Sequence, residues 1–209
     1  MLGLTITRTA NAGVFLEIDG VSILLDGVCE PLPPYLGTPT SVKNSLIENM
    51  PDVLAFTHKH PDHYDNDYEK LYKEKTLRFV LGPESLTFYK ASNGVEISSV
   101  ATRHIGKTDI PHMSYIIKGS SIVWFMGDAT PLCLKNITEP KPDLLIVPFA
   151  YAITPSAWRL AKETGAKKIL LVHMPLEKDD SEGLYKMVDE TVQNDNILFS
   201  LNVGEKVTI

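Results

Sequence analysis

Residues 57–64 read Thr57-His58-Lys59-His60-Pro61-Asp62-His63-Tyr64 and follow directly on an uncharged run, Val53-Leu54-Ala55-Phe56. A short, wholly apolar run bounded by polar residues suits a strand buried on both faces. The loop at the carboxyl end of such a strand is where an α/β sheet presents its functional groups. His58 and His60, two positions apart, can point to one side of an extended segment and share a cation, while Asp62 and His63 can turn toward a second. Imidazole together with carboxylate suits zinc, iron or manganese. A lone histidine is most often a hydrogen-bonded core or surface group. Three histidines and an aspartate within six positions are another matter: crowding them at a buried strand end is costly unless a metal satisfies them.

Working outward, Val14 to Ile18 and Val21 to Leu25 flank Asp19-Gly20, a dipeptide that tolerates positive φ, so a β-hairpin is predicted. A second hairpin joins Met113–Lys118 to Ser121–Met126 through Gly119. Leu144–Val147 and Ile169–Val172 read as further buried strands. Three helices are predicted. One starts at Thr154 as N-cap with Pro155 in its first turn and stops at Gly165; the others span Pro83–Ser92 and Ser181–Val192. Strands early, alternation of helix and strand later, and hairpins in both halves fit an α/β (α+β) arrangement of sheets sandwiched between helices.

Composition narrows the function classes. The chain has 209 residues, 44% hydrophobic, which fits a single domain spanning 1–209. It has no signal-like leader and no apolar run of membrane-spanning length, so the expectation is a soluble, cytoplasmic protein with no membrane partner. Cys29 and Cys133 form no CxxC pair and suggest neither a disulfide framework nor a thiolate zinc site. A formal charge of −6 without a basic run argues against nucleic acid as a partner. Symmetric self-association stays open.

His58, His60, Asp62 and His63 together spell HxHxDH, which resembles the signature of the metallo-β-lactamase superfamily. The resemblance extends along the chain: His104 precedes the second hairpin, Gly127-Asp128 ends it, and His173 follows the strand Ile169–Val172. It implies a four-layer αββα sandwich. It also implies that His58, His60 and His104 hold one metal and Asp62, His63 and His173 the other, with Asp128 and a hydroxide bridging. Zinc is the default occupant, and manganese or iron accept the same ligands. Such a pair of cations supplies a nucleophile near neutral pH and polarises the substrate's carbonyl or phosphoryl oxygen. Asp62 is additionally a candidate to orient the nucleophile or relay a proton. His112 is either a general acid or an outer brace of the metal site, the brace being preferred. Asp26 resembles an aspartate that relatives carry after the same strand, in a bracing or turn-capping role.

The resemblance also sorts the subfamilies. Asp128 argues against the β-lactam-hydrolysing branch and His60 against the diiron oxygen-reducing branch. The short stretch after His173, enough for one helix and up to two strands, leaves no room for the helical domain of glyoxalase II-like thioesterases. The chain is most similar to compact hydrolases related to the L-ascorbate-6-phosphate lactonases. The expected function is hydrolysis of an ester, lactone or phosphoester bond in a small molecule. The alternatives are a nuclease or phosphodiesterase of the same superfamily, and a catalytically silent metal- or partner-binding member. Lys59, Arg103 and Tyr151 are candidate anion contacts or ordinary surface groups. The proline-rich stretch from Cys29 to Gly37 is either a semi-rigid wall over the metal site, with Tyr35 touching substrate, or a plain surface loop.

Overall fold

The computed structural model describes residues 3–33, 35–106, 109–137, 140–193 and 195–209, so Pro34 of the proline-rich stretch lies outside it. Three strands open the chain, β1 (Thr5–Arg8), β2 (Val14–Ile18) and β3 (Val21–Leu25). Next come α1 (Thr40–Glu48), β4 (Val53–Ala55), α2 (Asn66–Thr76), β5 (Phe88–Lys90) and β6 (Glu96–Ala101). β7 (Met113–Lys118) and β8 (Ile122–Phe125) form the second hairpin. The last third holds β9 (Leu144–Pro148), α3 (Pro155–Glu163), β10 (Lys168–Val172), α4 (Leu184–Val192), β11 (Leu198–Ser200) and β12 (Lys206–Thr208). Among the described residues no helix is long and apolar enough to cross a membrane.

The strands form two sheets, ordered β12-β1-β2-β3-β4 and β11-β10-β9-β8-β7-β6-β5. Alternation along each strand sends one set of side chains inward and the other outward. Ile6, Leu16 and Ile23 of the first sheet and Tyr115, Phe125 and Ile146 of the second meet in the central core. The outward residues Leu145, Val147 and Leu171 pack under Trp158 of α3 and Val188 of α4. Leu24, Leu54 and Phe56 pack under Leu46 of α1 and Tyr68 and Tyr72 of α2. Helix, sheet, sheet and helix therefore stack as the four-layer αββα sandwich that the resemblance implies.

Two helix predictions need correction. Residues 83–92 form no helix: Phe88–Lys90 pair antiparallel with β6, Tyr89 opposite Ile97. Thr87, Phe88 and Tyr89 are β-branched or aromatic, and Tyr89 gains burial against the central core that a lone amphipathic turn there would lack. The last helix begins at Leu184, not Ser181. Both carboxylate oxygens of Asp180 accept backbone N–H bonds, from Leu184 (2.8 Å) and Tyr185 (3.0 Å), and Gly183 turns the chain through φ +72°. The helix after Thr154 has the predicted start, with Pro155 in its first turn, although the Thr154 hydroxyl makes no capping bond.

Candidate metal centre

Loops from both sheets meet at one end of the sandwich. The histidine-rich loop leaves β4 and ends where Asp65 caps α2 by accepting from Tyr68 N. A tight turn, His63 N to His60 O at 3.0 Å, brings His58, His60 and His63 around on one side. Thr57 O accepts from Met113 N at 2.9 Å and so ties this loop to the start of β7. Just beyond β8, Asp128 O accepts from Ile105 N at 2.8 Å, which sets Asp128 beside His104. His173, one residue past β10, has a left-handed backbone (φ +64°) that swings its ring back over the sheet end. Its N–H donates to Asn11 O at 3.0 Å, in the loop between β1 and β2.

The predicted groups converge. Ligand-type atoms of His58, His60 and His104 lie within 4.8 Å of one another, as do those of Asp62, His63 and His173. Asp128 faces both sets, with Oδ1 3.1 Å from His173 Nε2 and Oδ2 3.5 Å from His63 Nε2 and 3.6 Å from His104 Nε2. His63 Nε2 and His173 Nε2 stand 3.0 Å apart.

Outer hydrogen bonds fix which ring nitrogen faces inward. His63 Nδ1 donates to Asp26 Oδ2 (2.7 Å), and His104 Nδ1 donates to Ile105 O (2.6 Å). Thr57 Oγ1 donates to Asp26 Oδ2 (2.6 Å), which leaves it able to accept from His58 Nδ1 (3.0 Å). With Nδ1 committed as donor, each of these rings turns Nε2 toward the common centre. His58 Nε2 and His104 Nε2 are buried side-chain atoms without a hydrogen-bond partner, and Asp128 Oδ1 has the His173 ring nitrogen beside it. Orphaned acceptors in a polar cage are expensive, and a divalent cation is the species that satisfies lone pairs from three sides at once. The donor set therefore fits metal.

Asp26 also lies within ligand distance of His58 and His63. It is nonetheless committed elsewhere, since Oδ1 accepts from Thr57 N (2.7 Å) and Oδ2 from Thr57 Oγ1 and His63 Nδ1. That is the bracing place the sequence suggested. Both nitrogens of His112 are engaged as well: Nε2 accepts from Asp128 N (3.0 Å) and Nδ1 lies 2.8 Å from Thr102 Oγ1. Burial holds His112 down to about 3 and pushes His58 further below the usual histidine value. For His63 burial acts the same way, but Asp128 and Asp26 outweigh it and raise the value well above normal. Asp128, though buried, is held well below the carboxylate range by His173 and His63.

Other candidates fall on both sides. Residues 29–33 and 35–38 fold over the centre as a wall: Glu30 N donates to Pro61 O at 2.7 Å, and the Tyr35 ring lies edge-on to His173 at 5.4 Å. Tyr151 is fully buried with its hydroxyl on Ala129 O (2.7 Å), so it cannot meet substrate. Lys59 is paired with Glu84, and Arg103 is exposed. Sequence reasoning missed Asn11, whose Nδ2 donates to Asp62 Oδ2 (3.3 Å) and stands 2.8 Å from His173 Nδ1. Its only signal is a polar residue between small ones at a strand end, and its partners lie 51 and 162 positions away.

Residues 5–172 match the family model described as "Beta-lactamase superfamily domain". No curated protein matches the chain. Among solved structures, a possible metal-dependent hydrolase from Veillonella parvula superposes with TM-score 0.70 at 18% identity, covering 99% of this chain and 100% of its own. Igni18, a metallo hydrolase from Ignicoccus hospitalis, gives TM-score 0.64 at 18% identity, with 99% and 98% covered. An isothiocyanate hydrolase from Delia radicum gut bacteria gives 0.65 at 14% identity, with 98% and 99% covered.

Proposed function

The chain belongs to the metallo-β-lactamase superfamily, and from that premise we propose that it works as a dinuclear metal-dependent hydrolase on an ester, lactone or related acyl bond of a small molecule. The observation that carries this reading is the pair of inward-facing atoms His58 Nε2 and His104 Nε2, buried and without hydrogen-bond partners, beside the Asp128 carboxylate. In it His58, His60 and His104 would hold one cation and Asp62, His63 and His173 the second, with Asp128 available to both. Zinc is the preferred occupant because imidazole and carboxylate suit it. Bound in this way, two divalent cations supply an acidified water and an electrophile for the substrate oxygen.

The chain's own residues do the rest. Asp26 and Thr57 lock the rings of His63 and His58 so that no reorientation is needed when substrate arrives. His112 braces Asp128 through its backbone N–H; with both ring nitrogens committed it is not free to protonate a leaving group. Asn11 steadies Asp62 and His173 together. Tyr35 overhangs the centre with a hydroxyl kept protonated by burial and by Asp128, Asp62 and Glu182, so it can donate to a substrate oxygen.

The test is metal content per chain by plasma mass spectrometry, on protein purified without chelator, beside the Asp128→Ala and His173→Ala variants. We expect about two equivalents of transition metal, reduced in both variants, with hydrolysis of simple esters or lactones that tracks occupancy. Protein that neither contains nor takes up zinc, manganese or iron would sink the proposal and leave a silent member of the fold. Turnover of short RNA or bis(p-nitrophenyl) phosphate without ester cleavage would redirect it to the phosphodiesterase alternative.

A further inference from the structure

Beside the metal centre lies a cleft of about 620 Å³, large enough for a small organic molecule. None of the seven ligand-type residues lines it, yet it abuts them: Asn11 and Tyr35, which touch His173, form part of its wall, and Met174 follows His173 directly. Its surface is mainly carbon, from Tyr35, Leu36, Met174, Pro175, Leu176 and Leu184. Leu36 is 72% exposed and Leu176 37%, so apolar side chains are held out at the opening.

The charges around this cleft have one sign where it counts. Asp179, Asp180 and Glu182 line it. Asp180 is committed to capping α4, whereas Asp179 and Glu182 are exposed and have no cationic partner among the described residues. The cation in the lining, Arg8, is 4% exposed and spends its guanidinium on the carbonyls of Ala10, Asn11, Met174 and Leu201 at 2.7–3.2 Å. It braces the two loops that form the cleft and offers a ligand little. An apolar channel with carboxylates at its opening rewards an uncharged hydrocarbon group and repels an anion.

We propose that this cleft is the specificity subsite of the enzyme, that it receives an uncharged apolar arm of the substrate while the scissile bond sits at the metal centre, and that it selects against substrates with an anionic arm. This rests on the hydrolase reading above and deepens it. A phosphorylated substrate such as a sugar phosphate is therefore the wrong class.

The experiment uses zinc-loaded protein labelled with [13C]methyl-methionine, the Met174 signal being assigned from a Met174→Leu variant. Three amides differing only in their far end are titrated: hexanamide, 6-aminohexanamide and adipic acid monoamide. Hexanamide should shift Met174, and the monoamide should need about tenfold more ligand at low salt. Asp179→Asn with Glu182→Gln, both surface changes, should narrow that gap. In parallel, kcat/KM for p-nitrophenyl esters should rise from acetate to hexanoate and fall for the mono-adipate, and Leu36→Glu should erase the rise. A Met174 signal that ignores all three amides, or that answers the monoamide as readily as hexanamide, overturns the proposal. The two readings fail separately. Ester cleavage without a Met174 response leaves the hydrolase and removes the subsite; a Met174 response without cleavage of any ester leaves the subsite and removes the hydrolase.

Discussion

His112 illustrates how a side chain's partners decide its role. With both nitrogens engaged and burial holding it down to about 3, it stays neutral where an unfolded histidine, near 6.5, takes a proton. A depressed folded value means that the contribution is complete above 6.5 and is lost as pH falls through the window from 6.5 to 3. Metal-free protein should therefore lose up to about 1.4 kcal/mol per pH unit from this one proton. Urea midpoints from pH 7 to 4 should show a shallower slope for His112→Gln, and parallel slopes would contradict the assignment. Asp26→Asn removes the charge behind His63 and Thr57 and should weaken metal affinity by about 10–100-fold, read by chelator competition. His58, His60, Asp62 and His63 were legible because they cluster after a buried strand, whereas His104, Asp128 and His173 were singled out only through the family resemblance. Asn11, Thr57 and Thr102 were not, since a hydroxyl or amide becomes a brace only through register with distant chain.

Helices and strands were legible where one local signal dominated. Asp19-Gly20 between two apolar runs gave a hairpin with Val14 opposite Leu25 and Ile18 opposite Val21. The stretch 83–92 deceived because its proline start looks helical while its fate is set by pairing with β6, a tertiary matter. The turn after β8 carries a constrained backbone beside the centre. Gly127 has φ +53°, and a Cβ there would stand 2.6 Å from Thr57 Oγ1. Gly127→Ala should cost about 2–4 kcal/mol and displace Thr57, whereas Gly20→Ala, open on all sides, should cost about 1 kcal/mol. Asp65→Ala, which removes the α2 cap and the partner of Lys43, should cost about 1–2 kcal/mol without changing metal content. Denaturant titration of the three variants orders these effects.

The sandwich layers could be anticipated from the strand and helix pattern, but the strand order could not: β3–β4, β8–β9 and β9–β10 pair in parallel across intervening chain. These parallel pairs deliver the ends of β4, β8 and β10 to one side of the molecule, and the centre sits there because its loops do. Cations that bind the folded state alone stabilise it by mass action, about 2.7 kcal/mol at a hundredfold excess over Kd. Chelation should thus lower Tm by about 5–10 °C, and zinc should restore it. An unchanged Tm would mean that the cage is not coupled to folding.

The far wall of the cleft lies outside the family match, whereas all the ligand-type residues but His173 lie inside it. The family match ends at Val172, while Met174 to Leu184 lie beyond it and close the cleft from the far side. That segment hangs between β10 and α4 and contributes no strand to either sheet. Because no sheet depends on it, exchanging about a dozen residues of such a loop is expected to redirect a hydrolase to another molecule while the reaction centre stays as it is.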